Sequence, residues 1–165
     1  MKSIVLGANL LVAIFLVACT DQAKTTNTLP ENLDVSIAQN TNDMNSFTSL
    51  FEIPATDVSR AVTFYQAILG IEIEQMEMPG MEMGIFPYEG QLVPGVIMKA
   101  EGMTPSANGV TIYLNGGDDL QPILDKVEVN GGKILVPKTA HADESGYFAM
   151  FLDTEGNKLG LNSPN

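Results

Sequence analysis

The segment DVSRAVTFYQAILG, residues 57–70, determines how the rest of the chain is interpreted. Its apolar residues recur at the spacing of one helix face, which predicts an amphipathic helix packed on a sheet. These residues are Val58, Ala61, Val62, Tyr65, Ile68 and Leu69. Asp57 is a residue type that caps helix N-termini, and Gly70 is a type that ends helices. A strand is predicted just before it, at residues 49–53.

A second copy of this pattern begins 61 residues later, at DDLQPILDKVEVNG, residues 118–131. Asp118 or Asp119 would cap this helix, and Gly131 would end it. Alternating residues predict a pair of strands at 71–78 and 81–86, and further strands are predicted at 95–100 and 110–114. The turn FPYEG at 86–90 also resembles FLDTEG at 151–156. The predicted fold class is therefore α+β, with two βαβββ modules forming a cup-shaped antiparallel sheet and helices on the outer face.

The N-terminal residues have the features of an export signal. Lys2 precedes a mostly apolar run at 4–17 that is too short to span a bilayer comfortably. The stretch LVAC, residues 16–19, resembles the bacterial lipobox, and this resemblance implies lipidation of Cys19 after removal of residues 1–18. The alternative is an ordinary cleaved signal with an incidental cysteine. By resemblance to enterobacterial sorting, Thr20 and Asp21 weakly favour the outer over the inner membrane, with the domain facing the periplasm or exterior.

Residues 19–46 are rich in Thr, Asn, Gln, Asp and Ser and are predicted to be a flexible tether. The domain itself is predicted to span residues 47–165. The chain carries 8 basic and 20 acidic residues, a formal net charge of -12. Such a surface repels phosphate backbones, which excludes nucleic-acid binding, and it favours cationic or neutral ligands. A homodimer is left open as an alternative.

Three stretches carry a resemblance to a known superfamily: FEIPATDVSRAVTFYQAILGIE, GMEMGIFPYEGQLVPGVIM and GYFAMFLDTEGNKLGL. Together they resemble the vicinal oxygen chelate proteins, which include glyoxalases, bleomycin-resistance proteins and dioxygenases. The branch related to lactoylglutathione lyase is the most similar, and the resemblance covers roughly residues 48–162. It implies a cup in which a small molecule is bound or converted.

The metal-dependent members of this superfamily use four His, Glu or Gln ligands. The resemblance places those positions at Leu50, within residues 96–99 with Met98 favoured, at Val110 or Ile112, and at Gly160. None of these residues offers the oxygen or nitrogen donors that a hard divalent cation needs. The expectation is therefore a domain without metal or other cofactor, which argues against classical glyoxalase activity.

Strand parity gives a set of candidate ligand-binding residues on the inner face of the cup. The set is Leu50, Glu52, Met98, Ile112, Leu114 and Asn162. Glu52 and His141 are candidate catalytic residues, since a carboxylate and an imidazole can act as acid and base. The alternatives are that Glu52 is a solvated rim residue and that His141, in a predicted loop at 139–146, is merely exposed.

Methionines at 76, 78, 81 and 83 form a cluster in the first predicted hairpin. Thioethers are soft ligands that suit Cu(I), but methionines also form adaptable apolar walls. The wall of a pocket is the favoured interpretation.

Three functions follow from these observations. The first is an envelope-anchored, metal-free module that binds a small apolar or cationic molecule. The second is a metal-independent lyase or isomerase acting through Glu52 and His141. The third is an envelope interaction module with a vestigial cup. The sequence leaves open whether the protein is an enzyme.

Overall fold

A computed structural model describes residues 46–165. The predicted signal peptide, Cys19 and the tether up to residue 45 lie outside the described residues. The first helix, α1 (Val58–Leu69), has the predicted bounds. The Asp57 carboxylate accepts a hydrogen bond from the Arg60 amide at 3.0 Å. At the other end Gly70 has φ 68°, a left-handed conformation that glycine adopts without strain, and its amide bonds the Gln66 carbonyl.

The first module places α1 between β1 (Phe51–Pro54) and β2 (Glu74–Met78), followed by β3 (Met81–Ile85) and β4 (Gly95–Ala100). Its sheet has the order β1-β4-β3-β2. The second module repeats this plan with β5 (Tyr113–Asn115), α2 (Gln121–Val127) and a 3-10 turn (Glu128–Asn130). Then come β6 (Lys133–Ala140), β7 (Tyr147–Leu152) and β8 (Lys158–Ser163), in the sheet order β5-β8-β7-β6.

The predicted α+β class with two βαβββ modules is confirmed, and one detail differs. Each sheet is mixed rather than antiparallel, because β1 pairs parallel with β4 and β5 pairs parallel with β8. A helical crossover connects strands that run in the same direction, so β1 is parallel to β2. The two hairpin reversals that follow return β4 to that same direction.

The second helix is shorter than the pattern at 118–131 suggests. Leu120 directly precedes α2, and its amide donates to the Ser163 hydroxyl at 3.1 Å. Leu120 is therefore the N-cap residue, and the predicted capping by Asp118 or Asp119 is wrong. The Asp119 carboxylate accepts a hydrogen bond from the Gln121 amide from the position before the cap. The chain then tightens into the 3-10 turn before Gly131 ends it at φ 92°.

The hydrophobic core lies between the helices and the two sheets. Its largest members are aromatic: Tyr65 packs edge-on against Phe64 and Phe86, and Phe64 contacts Phe151 of the second module. These contacts join the modules, which lie in one compact unit. In the described part of the chain, the helices are too short and too polar to cross a bilayer.

Candidate binding site

A cleft of about 1210 Å³ opens where the two modules meet. Both β1 and β5 are edge strands of their sheets, and both line this cleft. The loop at 86–93 and the turn at 115–117 form further parts of its wall. Most lining side chains are apolar. They include Leu50, Phe51, Leu69, Ile71, Phe86, Leu92, Ile112, Leu114 and Ile123.

The two modules differ in one corresponding turn, and this difference is related to the position of the cleft. In the second module the turn at 153–157 is fixed against the start of α1. The Glu155 carboxylate accepts hydrogen bonds from the amides of Thr56 and Asp57 at 2.8 and 3.1 Å. It also accepts two from the Arg60 guanidinium, at 2.8 and 2.9 Å. Asn157 donates to the Pro54 carbonyl at 2.7 Å, which connects the same turn to β1.

The corresponding turn of the first module is arranged differently. Glu89 matches Glu155 in the repeat, yet its side chain is exposed, and the loop that carries it lines the cleft. One half of the duplication thus has a turn locked onto a helix, and the other half has an open loop. The cleft is the space beside that open loop.

The pKa values of Glu155, in the turn at 153–157, and of Tyr65, which contacts this turn, are shifted by their surroundings. Burial raises the pKa of the Glu155 carboxyl, but the hydrogen bonds from Arg60, Thr56 and Asp57 outweigh it and bring the pKa below the ordinary value. The Tyr65 hydroxyl donates to Asp153 at 2.7 Å inside the core. Burial, followed by the Asp153 charge and this bond, raises the Tyr65 pKa well above its ordinary value. These groups stabilise the fold and lie outside the cleft lining.

The charge of the cleft comes from one residue. Among the described residues that line it, Glu52 is the only one with a charged side chain. The remaining polar groups in the lining are neutral, such as Gln91, Thr111, Tyr113 and Asn115. A single carboxylate in a mostly apolar cleft attracts cations and repels anions.

Of the six predicted ligand-binding residues, Leu50, Glu52, Ile112 and Leu114 line the cleft. Leu114 also belongs to the hydrophobic core, where it is buried and in register with Leu161. Ile112 likewise packs partly against the core.

Sequence reasoning missed Tyr113, which is 44% exposed and lies in register with Gly160. The signal was present, because the 61-residue offset of the helices carries Glu52 onto Tyr113. Thr111, which also lines the cleft, corresponds to Leu50 by the same offset.

Met98, Asn162 and His141 do not line the cleft. Met98 lies in β4, and Asn162 lies in β8. The predicted loop at 139–146 is a tight turn, since β6 extends to Ala140 and the His141 amide bonds the Gly146 carbonyl at 2.9 Å. The His141 ring packs on Phe148, and its Nε2 lies 2.8 Å from the Asn162 side-chain oxygen. The two candidate catalytic residues therefore do not share this cleft.

The residues at the superfamily's metal-ligand positions do not fit a hard metal ion. Leu50, Met98 and Ile112 or Val110 carry no suitable donor, and the space at Gly160 is taken. A Cβ at residue 160 would lie 2.3 Å from the Tyr113 ring. In the part of the chain that the structure describes, no group of three or more His, Cys, Asp or Glu is placed to hold a metal.

Comparisons with known proteins agree with this architecture. Residues 44–161 match the family model of the glyoxalase/bleomycin resistance protein/dioxygenase superfamily. A glyoxylase-like domain-containing protein from Didymella fabae is 37% identical over 111 residues, which cover 64% of this chain and 84% of the relative.

Solved structures show the same fold at low identity. An antibiotic binding protein from Streptomyces sp. CB03234 is 22% identical, with a TM-score of 0.58 over 73% of this chain and 97% of its own. Glyoxalase I from Zea mays is 21% identical, with a TM-score of 0.57 over 70% of this chain. This chain spans only 45% of the maize protein. The family match covers more than half of the chain, and the chain therefore belongs to the glyoxalase/bleomycin resistance protein/dioxygenase superfamily.

Proposed function

We propose that this domain binds a small neutral or cationic molecule, largely apolar, in the cleft between β1 and β5. The observation that carries the proposal is the lining, in which apolar side chains surround one carboxylate, Glu52. Apolar area supplies affinity in such sites, and a few polar groups orient the ligand. The similar Streptomyces protein is described as an antibiotic binding protein, which is in keeping with this role.

The charge of the whole chain supports the same ligand class. A formal charge of -12 produces a field that attracts cations from a distance and is screened over about 8 Å at physiological salt. The local carboxylate then selects among the molecules that arrive. Both effects disfavour anions, including substrates that carry several carboxylates.

Binding without conversion is favoured because, among the described residues that line the cleft, Glu52 has no second carboxylate, imidazole or amine beside it. General acid–base catalysis needs a group within hydrogen-bond reach of the proton that it moves. His141, the other candidate, is engaged with Asn162 outside the cleft. The lyase or isomerase alternative predicts turnover that Glu52→Gln abolishes.

The proposal is tested with two aromatic probes of equal size, one bearing a quaternary ammonium and the other a sulfonate. Calorimetry should show saturable binding of the ammonium probe, weakened by Glu52→Gln and by added salt. Glu101→Gln is the matched control, since Glu101 is exposed and outside the cleft lining. A neutral probe of the same size should bind both variants equally. Equal affinity for the two charged probes, or equal effects of the two substitutions, would refute a role for Glu52.

We also propose that the domain is attached to the cell envelope through a lipid on Cys19. The support is the LVAC stretch and the apolar run before it. Two or three acyl chains hold a protein firmly at a membrane, whereas one holds it only marginally.

A further inference from the structure

Five methionines lie on one face of the first sheet. Met83 in β3 is in register with Met76 of β2 on one side and with Met98 of β4 on the other. Met78 and Met81 form the next pair along the same hairpin. Residues directly opposite each other on neighbouring strands have side chains on the same face, and so do residues two apart on one strand. These five residues are called the methionine face below.

The methionine face is the side of the sheet away from α1. The alternate residues of the same strands, Gly84 and Ile97, face the core, where a Cβ on Gly84 would touch Val62 of the helix. The methionine side remains open, with Met76 and Met78 41% and 43% exposed. None of the five methionines lines the cleft. Their clustering is therefore not explained by a role as the wall of the binding site.

The row Met76–Met83–Met98 offers three thioethers from three adjacent strands. Neighbouring strands lie about 4.8 Å apart, and a methionine side chain has three rotatable bonds, so the three sulfurs can converge on one atom. Thioether sulfur is a soft ligand that selects Cu(I) over hard cations such as Mg²⁺ or Ca²⁺. Of the carboxylates of this hairpin, Glu77 and Glu82 pair on the opposite face. Glu74 lies on the methionine face, at the end of β2 and in register with Ile85 rather than with a methionine.

We propose that Met76, Met83 and Met98 form a binding site for a soft monovalent cation, Cu(I), with Met78 and Met81 beside it. The acidic charge of the chain attracts the ion, and the thioethers select it. The site is separate from the cleft, so occupation of one does not require the other. It shares Met98 with one of the superfamily's metal-ligand positions, but its donors are soft thioethers from three strands rather than the oxygen and nitrogen ligands of a hard metal ion.

The test uses the full chain with Cys19→Ser, so that no thiol competes for soft ions. The probes are Ag(I), which is monovalent and redox-stable, and anaerobic Cu(I) in competition with a colorimetric Cu(I) chelator. This protein should bind one equivalent of each ion. In protein labelled at the methionine methyl groups, NMR signals of Met76, Met83 and Met98 should shift most. A variant with Met76→Leu, Met83→Leu and Met98→Leu should bind at least about tenfold more weakly. Methionine-to-leucine exchange nearly conserves volume, so the fold should persist.

The control variant carries Met103→Leu and Met150→Leu, two methionines outside the methionine face, and should bind as the protein without these substitutions does. If the triple variant unfolds, Met83→Leu alone removes the central ligand and should still weaken binding. Unchanged affinity in the folded triple or single variant, shifts confined to other methionines, or Zn(II) binding as tight as Cu(I) would overturn the proposal.

Discussion

Glu155, in the turn between β7 and β8, connects the two modules through its side chain. Its carboxylate meets two backbone amides, a hydroxyl and a guanidinium, all at the start of α1 in the other module. Glu155→Gln should lower the free energy of unfolding by about 2 kcal/mol, because charge-assisted hydrogen bonds are lost and an amide nitrogen is set against donors. Chemical denaturation measures the change. Glu89→Gln, at the matching exposed position of the first module, should have no effect, and an equal loss there would contradict the argument.

The pKa of Glu155 also predicts how the free energy of unfolding changes in acid. The pKa of Glu155 is lower in the folded protein than its ordinary value of 4.5. The carboxylate therefore stabilises the fold above that value, and this stabilisation is lost as the pH falls through the lower, folded pKa. The native protein should lose stability on acidification more steeply than Glu155→Gln. Parallel slopes in pH-dependent denaturation would show that Glu155 does not carry this linkage.

Gly160 provides a third prediction at this scale. A Cβ at this position would overlap the Tyr113 ring, so Gly160→Ala should cost about 1–3 kcal/mol. Tyr113→Ser should restore most of the loss in the double variant, which a double-mutant cycle measures. Gly109→Ala is the control, since a Cβ there meets nothing within 4 Å. Additive effects of the two substitutions would mean that the ring does not occupy the space.

At the same scale, sequence patterns were reliable where a residue type has one physical use. Asp57 and Gly70 were assigned correctly because a cap oxygen and a left-handed φ leave few alternatives. Side-chain orientation in β5 was harder to predict, because the short apolar stretch VTIYL at 110–114 has no clear alternation. Leu114 is buried in register with Leu161, and no local pattern reports that contact.

At the scale of elements, the two helices are unequal copies. Helix α1 has twelve residues with six buried side chains, whereas α2 has seven residues with two and ends in a 3-10 turn. Amide exchange should therefore be slower in α1, because more apolar area must be exposed to open it. Hydrogen exchange measured by mass spectrometry compares the segments 58–69 and 121–127. Faster exchange in α1 would contradict this ranking.

Element boundaries were predictable where capping residues or glycine mark them, as for α1 and for β4. The boundaries of the second module were less predictable. The hydrophobic spacing at 120–127 gave the helix correctly, but the bond from Leu120 to Ser163 depends on a residue 43 positions away. Long-range contacts of this kind also locked the turn at 153–157, while the similar sequence at 86–90 stayed open.

At the scale of the whole molecule, the anchor has its own test. Cys19→Ser should abolish incorporation of labelled lipid and move the protein from the membrane to the soluble fraction, or leave it uncleaved. Thr20→Ser, beside the cysteine, should leave labelling unchanged. Native protein that carries no lipid and fractionates like the variant would remove the lipoprotein proposal and leave the cleft and the methionine face unaffected.

The two corresponding turns, at 153–157 and 86–93, should tolerate substitution to different degrees. The turn at 153–157 joins the modules through Glu155 and Asn157, so a substitution that removes their hydrogen bonds should lower the stability of the domain. The open loop at 86–93 lines the cleft, and of its residues only Phe86 is buried in the core. In a duplicated unit, one copy of a turn can thus hold the modules together while the other copy varies with the ligand. Relatives that bind different molecules should then differ most in that loop, while their domains remain equally robust.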